Sequence, residues 1–334
     1  MSQPPRAVIF GCEGLRLGAQ ERQFLADARP WGAILFARNI ETPAQLAALC
    51  ADWRDVLGRD APILIDQEGG RVQRMRAPHW REWMPALDQA LRSADPARAM
   101  YLRGRLIAAE LRAVGIDVNC APLADIAYAQ THAVLRNRCY GPDAATVVAC
   151  ARAMADGLLA GGVLPVLKHI PGHGRADLDS HLDLPVVDTP RQTLEDTDFA
   201  AFRALADLPM GMSAHLVYSD IDPAAPATIS PRMIDLIRRD IGFSGLLMSD
   251  DISMQALRGT VAERAGAALG AGCDIVLHCN GNLTEMQHLA AACPMMTPAA
   301  VSRAEHALSL RHDPDIADQH AALQAEYDML VGVV

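Results

Sequence analysis

Gly245-Leu-Leu-Met-Ser-Asp-Asp251 begins as an uninterrupted apolar run and ends in two adjacent acids. A run of this length without polar alternation suits a strand buried on both faces, as in a parallel sheet covered by helices. Working outward, comparable runs over residues 7–11, 32–36, 62–66, 116–119, 163–168, 209–213 and 274–278 join the one over 245–249 to give eight expected strands. The gaps hold Ala-, Leu- and Arg-rich segments with apolar residues at helical spacing, over 43–56, 96–114, 144–159, 191–205, 231–241 and 261–269. Residues 283–330 read as two or three closing helices. Thr42 before Pro43, and Ser230 before Pro231, carry the signature of an N-cap followed by proline at the first helical position. Strands alternating with helices in this way predict an α/β fold, a single-domain (β/α)₈ barrel of the TIM type over residues 1–334. No repeat, low-complexity tract or linker marks a second domain.

Composition narrows the class. Hydrophobic residues make up 51% and charged residues 21%, which is ample material for a core and no sign of disorder. The eight cysteines are scattered without a CxxC pair, so free thiols in a reducing compartment are expected. Met1-Ser-Gln-Pro-Pro has neither a basic nor an apolar leader region, and no stretch approaches the roughly 18 apolar residues of a membrane span. The expected location is the cytoplasm, away from membranes. A formal charge of −10 argues against nucleic acid as a partner.

In such a barrel the functional site is assembled where the strands end at their C-terminal edges. The polar residues there are Asp66-Gln-Glu-Gly-Gly-Arg-Val-Gln-Arg74, Asn119 through Asp125, Lys168-His-Ile-Pro-Gly-His-Gly174 continuing to Asp179-Ser-His181, Ser213-Ala-His215, and Ser249-Asp-Asp251. Ionisable groups gathered at a concave surface are costly unless a polar ligand meets them. Carboxylates with Arg74, Lys168 and histidines suit a polyhydroxylated ligand, because carboxylate and guanidinium groups each bind two hydroxyls. A zinc site on His169, His173, His181 and His215 is disfavoured, since Pro171, Gly172 and Gly174 break the helix that an i, i+4 ligand pair requires. Gly69 and Gly70 suit a tight turn; no Lys-Ser/Thr follows them as in a phosphate-binding loop.

These motifs, in this order, resemble glycoside hydrolase family 3 β-N-acetylglucosaminidases, the short bacterial type of peptidoglycan recycling. The resemblance spans nearly the whole chain, through Gly32-Ala-Ile-Leu-Phe-Ala-Arg-Asn39, Ile65 to Arg74, Lys168 to Gly174, Asp179-Ser-His181 and Gly245 to Asp251. It implies a cytoplasmic, retaining exo-glycosidase with no cofactor or metal, acting as a monomer or weak dimer on an oligosaccharide such as a muropeptide. Asp250 would be the nucleophile, with Asp251 the cap of the next helix. His181 would be the acid/base partnered by Asp179, and Asp66, Arg74, Arg138, Lys168 and His169 would bind the terminal sugar. His173 would shape the pocket, and His215 is either a sugar contact or a buried hydrogen-bonded residue. The chain departs from the family pattern at Ile170, where phenylalanine is usual, and at Arg175-Ala-Asp-Leu178, where Asp-Thr is frequent. A phosphorylase or β-glucosidase of the same family is the alternative, with a non-enzymatic sugar binder as the other class.

Overall fold

A computed structural model describes residues 3–176, 184–313 and 320–332. All eight expected strands form: β1 (Arg6–Phe10), β2 (Pro30–Leu35), β3 (Ile63–Ile65), β4 (Val118–Asn119), β5 (Leu164–Ile170), β6 (Met210–Ser213), β7 (Leu246–Asp251) and β8 (Ile275–His278). They pair in parallel with their chain neighbours, and β8 closes on β1 to complete a barrel.

The apolar runs are continuous because both faces are covered. Leu246 and Met248 of β7 point into the barrel interior with Leu164, Val166, Met210 and Met212, whereas Leu247 and Leu167 pack outward under the helices. That alternation is the period of two of a strand, read here in two apolar environments.

Helices Pro43–Leu57, Pro96–Ala113, Ala144–Ala160, Pro231–Arg239 and Val261–Ala271 occupy the expected gaps, and Leu283–Ala292, Pro298–Ser309 and His320–Val331 follow β8. Thr42 accepts from Gln45 N and Ser230 from Met233 N, so both proposed N-caps are made. Two expectations change. The helix expected over 191–205 is broken at Thr197 (φ −126°, ψ −86°) into Arg191–Asp196 and Asp198–Arg203. A helix over Ala19–Ala28 was not anticipated, because its sequence AQERQFLADA is polar; Glu21 reaches back to Gly18 N to cap it. All eight thiols are free. Among the described residues no helix is long and apolar enough to cross a membrane.

Candidate active site

In a regular strand successive side chains face opposite sides, so two neighbours cannot both reach the barrel mouth. Two strands escape this rule at their C-terminal ends. Met248 pairs with Ile275 and Asp251 with Leu277, three steps along β7 against two along β8. The extra residue is a bulge, a device that re-aims side chains. Leu167 pairs with Gly211 and Ile170 with Ser213, so β5 is bulged against β6 in the same way. As a result Asp250 and Asp251 both face one cavity, and so do Lys168 and His169.

That cavity has a volume of about 300 Å³ and is lined by Asp66, Arg74, Arg138, Lys168, His169 and Asp250, together with Phe36, Arg71, His132, His173, Asp251 and Cys279. Its size is at the small end for ligand pockets, the scale of one sugar ring. Six of the eight residues given catalytic or sugar-binding roles from the sequence therefore line one cavity. Asp179 and His181 lie outside the described residues.

The segment after β3 is held by its own side chains. Gln67–Gly69 and Val72–Gln73 form a small antiparallel hairpin, turning through Gly69 and Gly70 at positive φ (109° and 59°). A Cβ on Gly69 would overlap the Arg103 guanidinium, so the turn requires glycine sterically as well as conformationally. The Gln67 side-chain oxygen accepts from Arg74 N at 2.9 Å and Met75 N at 3.1 Å, which fixes the backbone carrying Arg74. Arg74 Nη2 then donates to Asp66 Oδ2 at 3.0 Å, and Lys168 Nζ donates to Asp66 Oδ1 at 3.1 Å. Lys168 Nζ also lies 2.6 Å from Glu68 Oε1, and Glu68 receives both Nε and Nη2 of Arg138, at 2.9 and 2.8 Å. Glu68 was given no role from the sequence. Its spacing was the available signal, since residues two apart on an extended segment share a face with Asp66.

Electrostatics follow from this clamp. Burial opposes ionisation of Asp66, but Lys168 and Arg74 outweigh it and hold the carboxyl well below its usual range. Burial is likewise overcome at Glu68 by Arg138 and Lys168. Lys168, although buried, is kept above the ordinary lysine range by Glu68 and Asp66.

A second clamp joins the loops after β4 and β5. Asp125 lies 2.8 Å from His169 Nδ1 through Oδ2 and accepts from His173 N at 2.6 Å through Oδ1. His169 and His173 hold the Asp125 carboxyl below its usual range despite its burial. His173 itself is pushed down to about 4 by burial, with His169 adding to the effect. Phe36 at the rim carries a guanidinium on its ring from Arg38 and Arg74, at 4.9 and 5.0 Å.

Asp250 is different from these acids. Among the described residues its carboxylate accepts one hydrogen bond, from Asp251 N at 2.8 Å. Burial works against its charge, and His215, His169 and the Asp251 amide more than compensate, leaving the carboxyl below its usual range. His215 resolves to a buried hydrogen-bonded residue. Its Nδ1 lies 2.8 Å from Thr228 Oγ1, its Nε2 lies 3.0 Å from the Asp251 carbonyl oxygen, and burial lowers its pKa. The carbonyl can only accept, so Nε2 carries a proton. Asp251 is not a helix cap: the next helix starts at Val261 on Thr260. Asp251 instead accepts from Ser253 N and Cys279 N, tying the turn after β7 to the loop after β8. Among the described residues, no three His, Cys, Asp or Glu are arranged to hold a metal ion.

The profile of the glycosyl hydrolase family 3 N-terminal domain matches residues 8–305. A protein of Alkalilimnicola ehrlichii named beta-hexosaminidase is 41% identical over 82% of this chain and 80% of its own length. One of the same name from Chromobacterium violaceum is 37% identical over 97% and 95%. Among solved structures, NagZ from Neisseria gonorrhoeae in complex with N-trifluoroacetyl-D-glucosamine superposes with a TM-score of 0.88 at 31% identity, covering 99% of this chain and 98% of that one.

Proposed function

The chain belongs to glycosyl hydrolase family 3, and on that footing we propose that it is a β-N-acetylhexosaminidase releasing a terminal β-linked N-acetylglucosamine with retention of configuration. The observation that carries this reading is Asp250: an ionised carboxylate on a bulged strand end, facing a sugar-sized cavity, with one backbone amide as its hydrogen-bond partner among the described residues. Its spare lone pairs suit it to attack the anomeric carbon, breaking the bond to the leaving oxygen and forming a glycosyl ester.

The leaving oxygen then needs a proton, and the neighbouring acids are poor sources. Asp66, Glu68, Asp125 and Asp250 are each held below the usual carboxylate range, and so are ionised at neutral pH. That supports a histidine in the role most retaining glycosidases give to a second carboxylic acid. We assign it to His181, with Asp179 accepting from the other ring nitrogen. In the second step His181 takes a proton from water, whose oxygen attacks the anomeric carbon and frees Asp250. Asp66, Arg74, Arg138, Lys168 and His169 bind the sugar. The substrate in this reading is a muropeptide, N-acetylglucosamine linked to anhydro-N-acetylmuramic acid, turned over in the cytoplasm by one catalytic barrel domain.

The test is a steady-state comparison of aryl N-acetylglucosaminide, N-acetylgalactosaminide and glucoside, each with and without phosphate. The expected result is strong preference for the first and indifference to phosphate. A glucoside preference, or turnover that requires phosphate and yields a sugar phosphate, would contradict it.

A further inference from the structure

We infer that Glu68 is a positioning residue of this site, which fixes the donor geometry of Arg138 and Lys168, so that both meet the sugar as oriented donors. Glu68 is 5% exposed and absent from the cavity lining, so it acts through other residues. Its two oxygens take three contacts from the site's cations, Arg138 Nη2 and Lys168 Nζ on Oε1 and Arg138 Nε on Oε2. Of the five N–H groups of a guanidinium this arrangement takes two, leaving the Nη1 edge for a ligand. Of the three ammonium protons of Lys168, Asp66 and Glu68 take two and one remains. A fork-on-fork pair fixes the plane of the guanidinium as well as its position. Among the described residues Glu68 is the one hydrogen-bond and ion-pair partner of the Arg138 side chain, so removing it releases the guanidinium from its fixed plane.

The groups facing Lys168 are Asp66 and Glu68 beyond β3, Cys120 and Arg138 beyond β4, Asp250 on β7, and the adjacent His169. Burial alone would drive this ammonium to lose its proton, and the two carboxylates prevent it. Removing one of the two negative charges therefore exposes a titration that the wild-type site suppresses. A residue that only supports the fold would not produce that signature.

This inference rests on the reading of Arg138 and Lys168 as sugar-binding residues. The experiment is the pH dependence of KM and kcat for an aryl N-acetylglucosaminide in Glu68→Gln and Glu68→Asp. Glu68→Gln, isosteric but uncharged, is expected to raise KM about tenfold or more with kcat less affected. It should also add an alkaline fall in kcat/KM at lower pH than any in the wild type, because Glu68 no longer opposes the effect of burial on Lys168. Glu68→Asp restores the charge, so the alkaline fall should vanish while KM stays raised, because the shorter side chain cannot hold the fork. A folded Glu68→Gln with wild-type KM and pH profile would overturn the inference. Should that variant fail to fold, a wild-type KM in Glu68→Asp would overturn it equally. Wild-type protein that binds N-acetylglucosamine in calorimetry without turning over the aryl glycoside would contradict the hydrolase reading, while the Glu68→Gln affinity measured the same way would still decide this one.

Discussion

At the floor of the barrel, Asp117 precedes β4 and accepts from Ile63 N at 2.7 Å while Arg54, at 3.1 Å, and Arg311 clamp its other oxygen. Asp274 precedes β8 and is treated alike, accepting from Leu247 N at 3.0 Å with Arg238 and Arg303 each at 2.7 Å. At the mouth, Asp250 faces the cavity with its one amide partner among the described residues. The floor acids each tie a neighbouring strand to two arginines through three hydrogen bonds, and neither lines the cavity. Their satisfaction serves the fold. The open acceptor capacity of Asp250 costs stability and leaves its carboxylate accessible from the cavity, as the proposed role of nucleophile requires.

The contrast breaks most visibly if the mouth acid is replaced. Asp250→Asn should lower kcat/KM by about 10⁴-fold or more, roughly 5 kcal/mol, while thermal unfolding stays within a few degrees of wild type. A melting temperature that drops as far as in a floor variant would erase the distinction. Conversely, Asp274→Ala leaves Arg238 and Arg303 without their carboxylate, and should cost about 3–5 kcal/mol in urea unfolding. Its kcat per folded molecule should be retained.

Acid sharpens the comparison from another side, because the mouth also buries a base. His173 sits at about 4 in the folded protein against 6.5 for the free side chain, so below pH 6.5 the unfolded chain takes up a proton that the native state refuses. The contribution of His173 to stability should be complete above pH 6.5 and fall by on the order of 3 kcal/mol as pH drops toward 4. Urea unfolding at the two ends of that window, in wild type and His173→Gln, measures it; equal acid sensitivity in both would contradict the assignment. The smallest effect belongs to a surface cap. Thr42→Ala should remove about 1 kcal/mol of stability and leave turnover unchanged.

The barrel was legible because every strand is buried on both faces, which writes an unbroken apolar run into the sequence, and because Thr42 and Ser230 cap locally. The polar helix Ala19–Ala28 was not, since its stability comes from a cap made by Glu21 and from packing rather than from a marked apolar stripe. Asp66, Arg74, Lys168 and Asp250 were legible as strand-end polar residues. The bulges that let adjacent pairs share a cavity were invisible, because register is a property of two strands. Partnerships across the barrel were hidden for the same reason: Glu68 with Arg138, Asp125 with His169, and His215 with Thr228 and the Asp251 carbonyl all join segments that only closure brings together. Asp251 looked like a cap because acids precede helices, and the turn between it and Val261 defeated that rule.

Whether Asp250 is the nucleophile is tested most directly by trapping. Enzyme incubated with an activated fluoro-N-acetylglucosaminide that forms the glycosyl ester quickly and hydrolyses slowly should gain one sugar in intact-mass measurement. Peptide mapping should then place that sugar on Asp250. Labelling of Asp66 or Asp251 instead, or turnover of the reagent with no labelled protein at any time, would contradict the account.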